Sequence, residues 1–552
     1  MSPPTRRHFL RDAGLLGTAA VLPWLSGCND GSGSGAAGAE VAFRHGVASG
    51  DPLSDRVVLW TRVTSTVDLP VRVDWAIGMD PDMRQVMYMG STVTDADRDY
   101  TVKVDPAGLA PGTTYYYQFR ARGVDSPIGR TRTLPVGEVD RLRIAFTSCS
   151  DYRSGYFNAY RAMARRADLD LVMHLGDYIY EYGGTGVDGR DHAPDHEIVT
   201  LRDYRTRYAQ YRSDPDLQEC HRQHPWICVW DDHESTNNSY RDGAANHDDS
   251  EGDWEVRKAA AIRAYHEWIP IRTPDMNDLT RIFREFRLGN LVDLIVWETR
   301  LFGRDVPTES FNPLVAQDPG RSMMGFEQED WLARRLTAST AQWRLYGNQT
   351  MFAQLQVLNT LLKNETVDLS LLDLPANADQ WDGYAANRDR IHELWRNRGL
   401  RNNIMLTGDI HTSWVSELTP APGDVTQYGP VTGRGSVGVE FVTPSVTSSG
   451  LPEVDPIVDA VRLLNMHIKY VESKSHGYVL LDITRERVQG EFWYVDTIES
   501  RDFAESFAVA FRTADAATSA TGANRAERVG SPTEPAPDAP VPAPGDGVPA
   551  AG

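Results

Sequence analysis

Lysine is scarce in this chain of 552 residues: five of its 56 basic side chains are Lys, a genomic preference for Arg that carries no functional content. Positive charge as a whole is also short, with 56 Lys plus Arg against 77 Asp plus Glu and a net charge of −21. Duplex binding needs a Lys/Arg face that neutralises phosphates, so sequence-specific nucleic-acid recognition is excluded as the main task. There is no run of 18 apolar residues, which excludes a polytopic membrane protein. Cysteine is limited to four residues. Apolar residues, at 41%, are plentiful enough for a large core, and the length suits two to four domains of about 100–200 residues.

The N-terminus is an address. Thr5-Arg6-Arg7-His8-Phe9-Leu10-Arg11 precedes an apolar stretch from Ala13 to Gly27, a charged head before a core too short to span a bilayer. The paired arginines followed by Phe-Leu resemble a twin-arginine signal, whose export machinery is then a partner and carries proteins already folded. That route agrees with a metal loaded in the cytoplasm. The signal ends Leu25-Ser26-Gly27-Cys28, which resembles a bacterial lipobox. Lipidation of Cys28 would anchor the protein in the periplasm or at the cell surface, with the membrane touched only through that residue; the alternative is ordinary cleavage with Cys28 left free. Residues 1–28 are therefore read as signal and 29–40, rich in Gly, Ser and Ala, as a flexible tether. Lipidation leaves Cys149, Cys220 and Cys228, an odd number in an oxidising compartment. Cys220 and Cys228 either close a short disulfide loop or stay as thiols, and if they pair, Cys149 is the one kept for chemistry.

From Val41 to about residue 135 short alternating segments are separated by turns: Arg56–Val63, Val71–Ile77, Gln85–Gly90, Tyr100–Val104 and Thr114–Arg122. This predicts a small N-terminal antiparallel sandwich, residues 41–135, with Tyr115, Tyr117 and Phe119 on one face; it looks like a fibronectin type III domain. From 136 to 512 buried apolar strands alternate with helical stretches such as Phe157–Ala167, Gln328–Leu336 and Asn387–Arg398, which predicts an α/β catalytic domain. Val479–Ile483 and Gln489–Val495 suit a late hairpin. The tail, 513–552, has seven prolines, no aromatic and no Leu or Ile, and is expected to be disordered.

Four strands end in ligand-type residues: Ile144–Cys149, Leu171–Asp177, Ile227–His233 and Ile404–His411. Strand ends in α/β sheets are where sites are built. Hydrolysing a phosphoester requires neutralising an anionic ester and making a nucleophile from water, and two cations about 3.5–4 Å apart do both. Such a centre needs one carboxylate that bridges the cations and separate ligands for each. Gly176-Asp177-Tyr178-Ile179-Tyr180 offers Asp177 as the bridge, with Tyr180 three residues on. Trp230-Asp231-Asp232-His233-Glu234 and Gly408-Asp409-Ile410-His411 add carboxylates and imidazoles at two further strand ends. Buried unpaired carboxylates are costly, so three such clusters are not mere packing.

Four motifs in order, Val47–Pro52 with Leu59–Arg62, Gly176–Tyr182, Trp230–Glu234 and Gly408–Trp414, resemble the PhoD-type alkaline phosphatase and phosphodiesterase family. That family belongs to the calcineurin-like metallophosphatases and is related to purple acid phosphatases. The resemblance spans about residues 41–510. It implies layered β-sheets flanked by helices, Fe³⁺ together with one or two Ca²⁺, and hydrolysis of phosphate esters outside the cytoplasm. Position by position it makes Cys149, Asp177, Tyr180 and His411 the iron ligands, with Asp177 as the bridge, and Asp232, Asp409 and Asn348 the calcium ligands. The chemistry is consistent: thiolate, phenolate and imidazole suit a transition metal, whereas Asp and Asn oxygens suit a hard cation. His233 is then the catalytic group that donates to the leaving-group oxygen.

Other polar residues have weaker claims. Asp231 either orients His233 or reaches a second calcium, and Asn237 and Asn238 are candidate oxygen ligands. Arg153, Arg300 and His467 either touch the substrate phosphate or are structural, and His174 belongs to the core. The polar stretch 183–220 reads as a rim insertion that selects substrates. The expected substrates are small phosphate esters or the phosphodiesters of phospholipids and polymers, the latter including phospholipase D-like cleavage on the same site. The competing reading, from another class, is a catalytically silent surface-binding lipoprotein.

Overall fold

The computed structural model describes residues 41–308, 312–355 and 376–545, so the signal and tether lie outside the described residues. Three of the four strands that end in polar residues, Arg141–Thr147, Leu171–His174 and Pro225–Cys228, lie side by side in parallel register. Their sheet continues antiparallel through His476–Thr484, Arg487–Val495, Glu505–Ala514 and Glu527–Val529. At its other end come Val47–Gly50, Val58–Arg62 and Thr101–Val104, ten strands in all among the described residues. The fourth site strand, Asn403–Thr407, belongs to a second, seven-stranded sheet, where it runs parallel to Trp343–Asn348 and Gly438–Val442. Leu171–His174 and Val292–Val296 are buried throughout, as strands covered on both faces are.

The two sheets share one apolar cluster, to which Phe146, Met173 and Val479 contribute from the first and Leu345, Leu406 and Phe441 from the second. Glycine permits the approach: a Cβ on Gly490 would lie 2.4 Å from the Phe441 ring. Tyr160, Tyr208, Leu217 and Tyr265 bring the helices Asn158–Ala164, Leu201–Tyr211, Pro215–Gln223 and Trp254–Trp268 into the same cluster. Leu332, Leu336, Ile391 and Trp395 set Phe326–Ala338 and Ala385–Asn397 against Tyr346, Met405 and Val442 of the second sheet. This is an α/β architecture with an N-terminal β region, and the three helices expected from periodicity are present. No helix among the described residues is long and apolar enough to cross a membrane.

The N-terminal strands are antiparallel as expected, but residue 135 is not a break between sheets. Gly129–Arg132, Thr114–Ala121, Val71–Gly78 and Val86–Thr94 form one layer. Tyr115, Tyr117 and Phe119 all face inward, onto Val47, Leu59 and Val102. Those three residues belong to the end of the ten-stranded sheet, so the sandwich borrows its second layer from the sheet that carries the site. The join is the motif at Val47–Pro52. Val47–Gly50 pairs in parallel with Pro225–Cys228, and a Cβ on Gly50 would lie 2.3 Å from the Pro270 carbonyl oxygen. Asp51, fully buried, accepts from Arg284 Nη2 at 2.7 Å and Nε at 2.9 Å and from the Arg272 backbone N–H at 2.6 Å.

Three expectations are corrected. The tail is ordered from residue 513 to 545: Glu527–Val529 adds a strand, and the chain beyond it is held by its backbone. Arg130 donates to the Pro540 carbonyl at 3.2 Å, Arg222 to that of Pro544 at 2.6 Å, and the Gln223 side chain exchanges bonds with the Ala543 backbone at 3.1 and 2.9 Å. Composition measures side-chain burial and misses this, because proline carbonyls accept as well as any others. Residues 546–552 lie outside the described residues. The disulfide alternative fails: Cys220 and Cys228 are free, buried thiols within the apolar cluster. The stretch 183–220 is not simply a rim. Its helix Leu201–Tyr211, started by a Thr200–Asp203 capping box, buries Tyr204, Arg207, Tyr208 and Tyr211. Arg207 donates to the carbonyls of Tyr180 and Tyr182, the latter at 2.8 Å, and so supports the site loop from beneath.

Replacing Asp51 with Ala leaves the Arg284 guanidinium buried without its carboxylate. Removing one partner of such a pair costs about 3–5 kcal/mol, so Asp51→Ala should lower the unfolding free energy from denaturant titration by that amount. An unfolding free energy within about 1 kcal/mol of the parent would show that the join does not depend on this pair.

Candidate metal centre

Each site residue follows a strand by a few positions, where the chain turns out of its sheet. Cys149, Asp177, Asp409 and His411 all sit in left-handed backbone, at φ of 61°, 56°, 65° and 56°. Non-glycine residues held there cost about 1–2 kcal/mol each, and four together mark a constrained site. Hydrogen bonds enforce the turns. Cys149 N–H donates to the Gly176 carbonyl at 3.1 Å and Ser150 N–H to that of Asp177 at 2.9 Å. The Glu234 carboxylate accepts from the backbone N–H groups of Asp177 at 3.1 Å, Tyr178 at 2.7 Å and Asp231 at 2.8 Å, tying two site loops together. Gly176, at φ 107°, is required at that crossing: a Cβ there would lie 2.3 Å from Asp231 Cβ.

The side chains converge around Asp177. Cys149, Asp177 and His411 each offer a donor atom within 4.8 Å of the others, as do Asp177, Asp231, Asp232 and Asp409, and likewise Asp177, Asp232 and His233. Asp177 is common to all three groups, the position a bridging carboxylate must hold. Tyr180 Oη lies 3.1 Å from Asp177 Oδ2 and 3.1 Å from His411 Nε2. His411 Nδ1 donates to the Ser449 carbonyl at 2.9 Å, which leaves Nε2 as the lone-pair nitrogen facing the cluster. Asp177 thus shares one group with the sulfur, phenol and imidazole of Cys149, Tyr180 and His411 and another with the carboxylates.

The cluster holds more carboxylate oxygens than its hydrogen bonds satisfy. Among the described residues Asp177 Oδ1, Asp231 Oδ2 and Asp232 Oδ1 are buried with no hydrogen-bond partner. Burial pushes the Asp177 and Asp231 carboxyls well above the usual range and Asp409 up to about 7. Burial, reinforced by Asp177, also drives the Cys149 thiol and Tyr180 phenol well up. Orphaned buried oxygens and suppressed ionisation are what a donor set shows when the charge it is built to meet is a metal ion. The residues present fit such a pair of cations.

His233 stands apart. Its Nδ1 lies 2.6 Å from Glu181 Oε2, and its ring lies against that of Tyr180, tilted by 32° with centroids 4.2 Å apart. Burial works against its cationic form, but the carboxylates of Glu181, Asp232 and Asp177 outweigh burial and hold its pKa well above normal. Glu181 is itself fixed, accepting from Asn237 N–H at 2.7 Å and Thr236 Oγ1 at 3.3 Å. The sequence reading gave Glu181 and Glu234 no role; their sole signal was adjacency to Tyr180 and His233.

Several weaker expectations resolve. Arg300 does not face substrate: fully buried, it bonds Asp231, Asp379 at 2.8 Å and Asp409 at 3.1 Å, with Asp232 3.6 Å away. Asp231 therefore pairs with Arg300, and it is Glu181 that orients His233. Asn348 lies beside Thr407 in register, but its Oδ1 accepts from the Trp381 indole at 3.2 Å and its Nδ2 donates to the Thr350 carbonyl, so its amide serves the packing. Asn238 acts through its backbone N–H, 2.6 Å from Asp232 Oδ2. Arg153 bonds Asp151 and the Gly183 carbonyl, His467 the Gln354 carbonyl, and His174 the Tyr160 hydroxyl; all three are structural.

Gly176→Ala combines the overlap with Asp231 and an unfavourable φ. It should cost at least about 2 kcal/mol and lower the metal retained after dialysis, measured by thermal unfolding and metal analysis; unchanged metal content would mean that the crossing does not set the donor geometry.

The family model for the PhoD-like phosphatase matches residues 144–492, which include every candidate ligand, and that for the PhoD-like phosphatase N-terminal domain matches residues 30–135. The chain is 37% identical over 474 residues to alkaline phosphatase D of Bacillus subtilis (strain 168), covering 82% of this chain and 77% of that protein. The solved structure of PhoD superposes with a TM-score of 0.77 at 34% identity, covering 89% of this chain and 92% of that one. On these matches and this site, the chain belongs to the PhoD-like phosphatase family.

Proposed function

We propose that the protein is an exported phosphoric ester hydrolase that cleaves phosphomonoesters and phosphodiesters at a mixed Fe³⁺/Ca²⁺ centre. The observation that carries this is the sharing of Asp177 between a sulfur, phenol and imidazole set and a carboxylate set, with buried oxygens left orphaned on the carboxylate side. Cys149, Tyr180, His411 and Asp177 would hold Fe³⁺; Asp232, Asp409 and Asp177 would hold Ca²⁺. Asn348 is left out of the second set, because its amide is already bonded within the packing. When bound, the cations supply charge neutralisation of the ester and a water acidic enough to attack phosphorus.

The chain's own groups do the rest. Glu181 fixes the His233 ring through Nδ1, and His233 carries the proton that the departing alkoxide needs. Asp409 and His411 are the partly exposed members of the cluster, so an ester reaches the centre from their side. Small phosphate esters, phospholipid headgroups and polymer phosphodiesters present the same group to this site, phospholipase D-like cleavage included. The twin-arginine and lipobox-like segments support export and anchoring through Cys28.

Protein exported by its own pathway should be coloured, since Fe³⁺–phenolate and Fe³⁺–thiolate bonds absorb visible light; chelation should abolish hydrolysis of a mono- and a diester together. Activity that survives chelation would reject the metal mechanism, and inactivity on every ester would favour the silent lipoprotein. His233→Ala should lower kcat on an alkyl phosphate by about 10²–10⁴ and on a nitrophenyl phosphate by much less, because the better leaving group needs no proton. Equal losses on both would deny His233 that role.

A further inference from the structure

The segment Ser445–Ser449, which follows the strand Gly438–Val442, touches all three non-carboxylate donors of the site. Ser445 bridges to Ser148, and Val446 N–H donates to the Ser148 carbonyl at 3.0 Å, which seats the segment beside the Cys149 turn. Ser449 offers its carbonyl to His411 Nδ1 at 2.9 Å. Between them Ser448, buried, places its Oγ 2.6 Å from Tyr180 Oη and 3.0 Å from the Cys149 carbonyl. Its Oγ also accepts from Asp151 N–H at 3.4 Å, which fills one lone pair and leaves the hydroxyl proton for an acceptor. The other neighbours of Tyr180 Oη are Asp177 Oδ2 and His411 Nε2, both acceptors toward the phenol. Ser448 is thus the hydroxyl donor placed at that oxygen.

We infer that Ser448 is a positioning residue for the transition-metal half of the centre: its hydroxyl donates to Tyr180 Oη and so sets how much charge the phenolate gives to the cation. The inference rests on the proposed iron ligation by Tyr180 and goes beyond it. While the phenol is protonated, the Ser448 proton can serve the Cys149 carbonyl. Once Tyr180 is a phenolate, the anionic oxygen is the stronger acceptor and the shorter contact, so the proton turns to it. A hydrogen bond lowers the energy of the phenolate lone pairs, which raises the energy needed to move an electron from phenolate to Fe³⁺. The same phenol ring lies against His233, with centroids 4.2 Å apart.

The test is the visible spectrum of iron-loaded protein. Ser448→Ala, with iron content verified by metal analysis, should move the charge-transfer band to longer wavelength, and Ser448→Thr, which keeps the hydroxyl, should restore it toward its original position. In the unmodified protein, transfer to D₂O should shift the phenolate C–O stretch seen by resonance Raman, because the bonded proton exchanges; this arm needs no variant and holds if Ser448→Ala fails to fold. A band present in the parent and unmoved in Ser448→Ala, or a C–O stretch indifferent to D₂O, overturns the role of Ser448 while leaving iron ligation intact. A parent protein that contains iron but has no phenolate band, and whose spectrum Tyr180→Phe does not alter, overturns the ligation itself and the inference with it.

Discussion

Four carboxylates, a thiol and a phenol are buried together around Asp177, and they cannot all ionise without cations beside them. Arg300 answers part of this demand from below, bonded to Asp231, Asp379 and Asp409. His233 answers part from the side, held cationic by Glu181 and its neighbours. What remains are three orphaned oxygens on Asp177, Asp231 and Asp232. Carboxylate oxygens left without a partner after Arg300 and His233 have been placed are the physical basis for a candidate cation site here.

Holding such a cluster requires rigid supports, because the donors repel one another until cations arrive. The supports are carboxylates used as acceptors for backbone N–H groups. Glu234 clasps Asp177, Tyr178 and Asp231; Glu298 does the same for Arg300, Leu301 and Phe302, at 3.0, 2.6 and 2.8 Å, and takes the Trp230 indole at 2.7 Å. The Glu234 bond holds Asp177 in left-handed backbone that would otherwise relax. The larger frame is equally tied: by running parallel to Pro225–Cys228, the strand Val47–Gly50 makes the N-terminal sandwich an extension of the sheet that carries the site.

Local order was readable from the residues. Uninterrupted apolar runs marked buried strands, alternation marked the N-terminal layer with Tyr115, Tyr117 and Phe119 inward, and 3.6-residue spacing marked helices close to their observed ends. Cys149, Asp177, Asp232, His233, Asp409 and His411 stood out because each follows an apolar strand within a few residues, while the ligand roles, that of Tyr180 included, came from the family resemblance. Asn348 satisfied the same rule and yet serves the packing, since a strand end fixes where a side chain starts and not which partner it meets. The tail misled for a related reason: its order comes from carbonyls accepting Arg and Gln donors, and composition counts side chains.

Taken alone, the sequence determined which strands are buried, which residues stand at their ends and which elements those donors favour, since these depend on neighbours a few positions apart. Tertiary structure alone decided that Arg300 fills the carboxylate side, that Glu181 rather than Asp231 holds His233, and that Ser448 lies against Tyr180. Those pairs are separated by 52 to 268 positions: Glu181 meets His233 across neighbouring strands of one sheet, while Arg300 meets Asp231 and Ser448 meets Tyr180 only because the two sheets pack together.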